Sequence, residues 1–208
     1  MPETASRASP PQTNQRWGEI KPSALVKRLD ATFESCGDLQ ELFQPLSSDL
    51  VALQLSSGLL KGRLQAWEFE EFRLNLLCTN QTLFLSGSRR AGACTLALPL
   101  NPSEGDRAYK AQGVIMPWPG LMGYNRGLID FDLKLPGGAQ LATVVISKAA
   151  WLNRHAQNVG PLMLQRWEQT NQLQVRAPLH DQLQRQLMAL IHGQADPEQT
   201  LDPDQLMQ

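Results

Sequence analysis

Between Leu50 and Ile146 the chain is cut into short apolar or alternating segments, each closed by a turn residue. That spacing leaves little room for the crossover helices a parallel sheet needs, so it favours an antiparallel sheet system. The segments fall at residues 50–55, 59–69, 72–78, 83–85, 95–98, 114–116, 121–124, 129–133 and 141–146. Gly87, Pro102, Gly105, Pro119, Gly127 and the pair Gly137-Gly138 punctuate them. About nine strands in about a hundred residues is the grammar of a barrel or a sandwich.

Helical patterns flank this region. Asp38-Leu39-Gln40-Glu41-Leu42-Phe43 carries apolar residues at helical spacing behind Asp38, read as the N-cap, and Pro45 ends it. After Ser147 the period becomes helical over 148–155, 161–174 and 178–191. In the last of these Leu179, Leu183, Leu187, Leu190 and Ile191 share one face, Pro178 suits the first turn, and Gly193 suits the C-terminal cap. Residues 1–37 read as a mobile N-terminal arm, because the opening stretch is rich in Pro, Ser, Thr and Gln. Residues 38–147 read as the β body with its leading helix, 148–193 as a helical segment, and 194–208 as an acidic, linker-like tail built on Asp196-Pro197 and Asp202-Pro203.

A net charge of -1 gives no broad basic face, so direct nucleic-acid binding is not expected. Apolar residues at 42% against 19% charged are enough for a packed core without the composition of a disordered chain. No run approaches the 18 or so apolar residues of a membrane span, and Met1 to Trp17 lacks a signal-type apolar stretch; a cytoplasmic protein with no membrane partner is the expectation. Cys36, Cys78 and Cys94 have no CxxC spacing and read as buried free thiols.

Three stretches carry a family likeness: Gln54-Leu55-Ser56-Ser57-Gly58-Leu59-Leu60-Lys61-Gly62-Arg63-Leu64, then Asn80-Gln81, then Thr95-Leu96-Ala97-Leu98-Pro99-Leu100. In that order they resemble the N-terminal domain of AraC-type transcription regulators, and within them the ethanolamine-operon activators. The likeness covers roughly residues 38–190 and has no catalytic signature. It implies a mainly β fold with C-terminal helices: a cupin-like antiparallel β-barrel that senses a small-molecule effector, followed by a helical segment that forms a homodimer. In that family a pair of helix-turn-helix units follows and reads DNA. Here the sequence ends first, so contact with DNA is expected only through a C-terminal domain absent from this chain. The chain is then either an excised regulatory domain or a naturally short member. The helix at 178–191 is rejected as a DNA reader itself, since Arg185 is its one fixed cation and stands with Asp181.

Chemistry points away from catalysis. His155, His180 and His192 all lie outside the β region, so none is expected as a metal ligand in a barrel; each reads as a helix-surface histidine, and no metal or other cofactor is implied. No G-x-S-x-G, P-loop or G-x-G-x-x-G occurs, and Gly120, Gly123 and Gly127 read as turn and bulge positions. No catalytic residue is assigned.

A binding pocket is the positive expectation, with apolar walls and a few polar anchors. Trp67, Trp118 and Tyr124 are candidate walls, and Arg63, Arg73 and Arg126 are candidate partners for an anionic group. Each tryptophan also reads as plain packing. The leucine face of the last helix, Leu179, Leu183, Leu187 and Leu190, has two readings: packing on its own barrel, or pairing with a second subunit. A stand-alone module that blocks a related regulator, and a cupin-like enzyme, are the alternatives from other classes.

Overall fold

The structure, a computed structural model, describes residues 25–44, 49–89, 92–102, 105–123, 130–147, 149–150 and 171–191. Two antiparallel sheets make up the body. The larger runs β1 (Leu25–Phe33), β3 (Gly62–Phe69), β4 (Phe72–Thr79), β11 (Gln140–Ser147), β6 (Ala93–Pro99), β9 (Gly120–Met122) and β12 (Gln172–Gln174), in that spatial order. The smaller runs β2 (Val51–Gln54), β5 (Leu83–Ser88), β10 (Asp130–Leu135), β7 (Lys110–Ala111) and β8 (Val114–Ile115). The chain crosses from one sheet to the other at most of its turns. Among the described strands no pairing joins the two sheets, so the expected closed barrel stands here as two separate sheets.

The sheets share one core. Phe33, Leu64, Leu77 and Leu141 of the larger sheet meet Leu83, Leu85 and Leu135 of the smaller one. The other face of the larger sheet is also buried: Trp67, Leu74, Leu98 and Leu121 form a second apolar cluster, which helix α2 (Ala177–Ile191) covers with Leu179, Leu183 and Leu187. A sheet with a core on both sides needs strands that are apolar at nearly every position, and β4, Phe-Arg-Leu-Asn-Leu-Leu-Cys-Thr, is buried or half-buried throughout.

Four expectations are revised. Residues 25–33, assigned to the arm, form β1, paired with β3 along its whole length; alternation places Leu29, Ala31 and Phe33 toward the core while Arg28, Asp30 and Thr32 stay in solvent, a pattern too weak to show beside the polar leader. Helix α1 (Cys36–Phe43) starts earlier than expected: Ser35 is the N-cap and accepts from the Asp38 backbone N–H, while the Asp38 carboxylate accepts in return from the Ser35 backbone N–H. Asp38 is thus the far half of a capping box, and its pKa is lowered by the backbone and side-chain hydrogen bonds it receives. The end of the helix expected over 161–174 is strand β12, because Gln172, Leu173 and Gln174 find open backbone partners on β9. Finally, His180 is not a surface histidine: it is 1% exposed on the buried face of α2. The remaining helical expectations from 151 to 170, the tail from 192 onward, and His155 and His192 lie outside the described residues. The three cysteines form no disulfide and are partly buried.

Helix α2 is fastened by polar contacts as well as leucines. His180 Nε2 donates to the Pro99 carbonyl at 3.1 Å, and Gln184 Nε2 donates to the Leu100 carbonyl at 3.2 Å. The leucine face read as a dimer surface therefore packs on the chain's own larger sheet, with Leu179 only 6% exposed and Leu183, Leu187 and Leu190 half-buried on the same cluster.

Candidate functional site

A cavity of about 160 Å³ lies between the two sheets. Register explains its polarity. Inward positions of the neighbouring strands β4, β11 and β6 line up in three rows: Leu77, Leu141 and Pro99; then Asn75, Thr143 and Ala97; then Arg73, Val145 and Thr95. The first row is an apolar floor and the next two carry the polar groups. From the opposite sheet Leu85, Phe131 and Leu133 close the apolar side.

Asn75 is the central group. It is 6% exposed, and its amide nitrogen donates to Thr143 Oγ1 at 3.0 Å across the β4–β11 pair. Its amide oxygen is buried with no hydrogen-bond partner among the described residues. An open buried acceptor costs about 1–3 kcal/mol, so the fold carries a local cost in the wall of the cavity. Turning the amide over would leave the nitrogen open instead; either way one end of the Asn75 amide is buried and unmatched.

Charge enters from the rim. Arg73 and Arg89 both line the cavity, and Asp132 is the one carboxylate beside them among the described residues. Arg89 follows β5 and reaches across: Nη1 donates to the Gly123 carbonyl and Nη2 to Asn171 Oδ1, each at 3.3 Å. Burial lowers its pKa, though a guanidinium stays charged at neutral pH. Asp132 accepts from the Gly113 backbone N–H at 3.2 Å. Gly123, φ +100, is required where it stands: a Cβ there would lie 2.2 Å from the Thr95 carbonyl oxygen, so only glycine lets β9 close this end of the cavity.

Of the residues expected to touch a ligand, the structure brings Arg73 to the cavity and sends three others elsewhere. On β3 the even positions Leu64 and Ala66 face the inner core, so Arg63 and Trp67 face outward. Arg63 is exposed and gripped by Asp30, with Nε and Nη2 each at 2.8 Å from a carboxylate oxygen. Trp67 is packed in the outer cluster, with the Arg28 guanidinium 6.0 Å from its ring centre. Trp118 sits edge-on to His180, ring centres 4.6 Å apart, outside the cavity lining. Tyr124 and Arg126 lie outside the described residues.

Asn75, Thr143, Arg89 and Asp132 were missed. For the first two a signal existed: Asn75 shares its parity with Leu77, and Thr143 with Leu141, so polar atoms sat on an otherwise core-facing row. The family-like stretches turn out to be structural in part. Gln54 Nε2 donates to the Ser56 and Gly58 carbonyls, Ser56 Oγ donates to Gln81 Oε1 at 2.5 Å, and Asn80 Nδ2 donates to the Leu59 carbonyl at 3.0 Å. This network locks the loop between β2 and β3 onto the turn after β4. Thr95 and Ala97 of the third stretch do line the cavity.

Among the described residues no group of three or more His, Cys, Asp or Glu stands close enough to hold a metal ion, and no described helix is long and apolar enough to cross a membrane. Compared with protein-family models, curated proteins and solved structures, the chain gives no match.

Proposed function

We propose that this chain is the effector-sensing domain of an AraC-type transcription regulator, holding a small molecule between its two sheets, which correspond to the halves of a cupin-like barrel. The observation that carries the reading is the cavity kept between the two sheets, with an apolar floor, Asn75 and Thr143 in its wall, and Arg73 and Arg89 in its lining. A purely structural core gains stability by filling such a space with apolar side chains, whereas a binding domain keeps it.

The same geometry offers a route for the signal. Arg89 lines the cavity and holds Asn171, the residue that leads into β12 and then α2. A ligand that competes for the Arg89 guanidinium shifts β12 and α2 between two arrangements, which is what coupling requires: different affinity for two states. In this reading the helical segment passes the shift to a DNA-reading domain joined after it, and two copies associate through that segment. A cytoplasmic location and the absence of catalysis belong to the same proposal.

The test uses the protein made from its native gene. The expected product is heavier than 23.1 kDa by about 10 kDa or more, the size of a small added domain. Native mass spectrometry is expected to show a retained small molecule that is lost in an Ala97→Phe variant, which fills the cavity. A product of 23.1 kDa with the same spectrum for both variants sinks the reading.

A further inference from the structure

We infer that the cavity takes a small, neutral, mainly apolar molecule, and not an acid, an amine or a polyol. This rests on reading the cavity as a ligand site. Its volume, its apolar walls and the state of its polar groups each bear on the class.

Volume sets the size. About 160 Å³ is close to the cavity of roughly 150 Å³ that accepts benzene in an engineered core, so a ligand of roughly six to ten heavy atoms is the scale. The walls set the body of the molecule. Leu77 and Leu141 come from the larger sheet, Leu85, Phe131 and Leu133 from the smaller one, and Phe43 from α1, so carbon meets the ligand from three sides. Such walls reward apolar surface withdrawn from water.

The polar groups of the lining are already engaged within the protein, and this sets the charge. Arg89 donates to the Gly123 carbonyl and to Asn171 Oδ1, and neither it nor Arg73 is free of further partners. Asp132 accepts from the Gly113 backbone N–H. Gln112 spends both ends of its amide on β10: Nε2 donates to the Asp130 carbonyl and Oε1 accepts from the Asp132 backbone N–H, each at 3.0 Å. Asn75 and Thr143 bond to each other. An ion entering here sheds its hydration without a counter-charge held ready for it, and a polyol buries hydroxyls against carbon; both are costly. Any oxygen that the ligand carries is then a neutral one, the kind of acceptor that Arg89 already holds in Gly123 and Asn171.

Methyl NMR titration of the full chain with four probes tests this: 2-hexanone, hexanoate, hexylammonium and erythritol. The ketone is expected to bind tightest, with NOEs to the methyl groups of Leu77, Leu133 and Leu141, which place it in the cavity without recourse to a variant. Hexanoate and hexylammonium, similar in length but charged, are expected to be weaker by roughly tenfold or more, and so is erythritol, neutral but covered in hydroxyls. Any of these three binding in the cavity as tightly as 2-hexanone overturns the ligand class and leaves the site reading standing. Cavity NOEs from no probe, in a protein whose native form retains a small molecule that Ala97→Phe releases, have the same meaning. Cavity NOEs from no probe, with no retained molecule, bring down the class and the site together.

Discussion

The Arg63 guanidinium grips the Asp30 carboxylate through both Nε and Nη2, each bond 2.8 Å long, and so ties the edge strand β1 to β3. Gln65 and Arg28 add further bonds to the same carboxylate, at 3.0 and 3.3 Å. Arg63 therefore anchors a strand rather than a ligand.

The Arg63 side-chain bond is the main reason that the Asp30 pKa falls from 3.8 to about 2. A carboxylate with a depressed folded pKa contributes stability that is fully present above 3.8 and is lost as pH falls through about 2. Both partners are substantially exposed, so the effect should be local. Asp30→Asn is expected to speed amide exchange along β1 at pH 6 while leaving β4 and β11 protected, and wild type is expected to show the same loosening of β1 near pH 2. Uniform protection of β1 in the variant would remove this role.

Gly62 lies opposite Phe33 in the β1–β3 pair, and a Cβ there would stand 2.0 Å from Phe33 Cζ. Phe33 is 2% exposed, so its ring cannot swing aside without opening the core. Gly62→Ala is expected to cost about 1–3 kcal/mol, the usual range for overpacking. Adding Phe33→Leu should recover part of the loss, giving a non-zero coupling in a double-mutant cycle by urea denaturation.

His180 is buried on the sheet-facing side of α2, with its ring against Trp118 and its Nε2 on the Pro99 carbonyl. Burial lowers its pKa from 6.5, more than the Pro99 bond and Asp181 raise it. The unfolded chain then takes up the proton first, so stability is full above about pH 6.5 and falls as pH drops below it. Urea midpoints measured at pH 7.5 and 5.5 should show that loss, and His180→Gln should lessen it. His180→Ala, which leaves the Pro99 carbonyl without its partner, is expected to cost about 1–3 kcal/mol at pH 7.5.

Asn75 and Thr143 form a polar pair in the wall of the cavity, with one end of the amide unmatched. Replacing both with apolar groups of similar shape removes the pair and the open acceptor together, a change that is typically neutral or stabilising. Asn75→Leu/Thr143→Val is expected to match or exceed wild-type thermal stability, within about 1 kcal/mol or better. Losing several kcal/mol would mean that the pair serves the fold and not a ligand.

Much of this molecule was legible in order along the chain. The segments at 50–55, 72–78, 83–85 and 141–146 correspond to β2, β4, β5 and β11, and the leucine stripe from Leu179 marks α2. Asp38 was rightly placed at the start of a helix but took the far half of the cap, because Ser35 three residues earlier offers the N-cap oxygen. β1 was hidden because its pattern is that of an edge strand, with its polar side chains in solvent.

By itself the sequence determined the central strand segments and that the last helix has one apolar face, since both follow from local period and turn chemistry, whereas β1 and β12 did not show in that pattern. The tertiary structure decided which side of each strand is inside. The larger sheet has a core on both faces, so apolar residues on β3 and β4 point both ways and their pattern does not tell in from out. One step of parity sent Trp67 and Arg63 to the outer face and brought Arg73 and Asn75 to the cavity. Arg89 joined them from the end of another strand, and only the folding of β12 against β9 gave it Asn171 to hold.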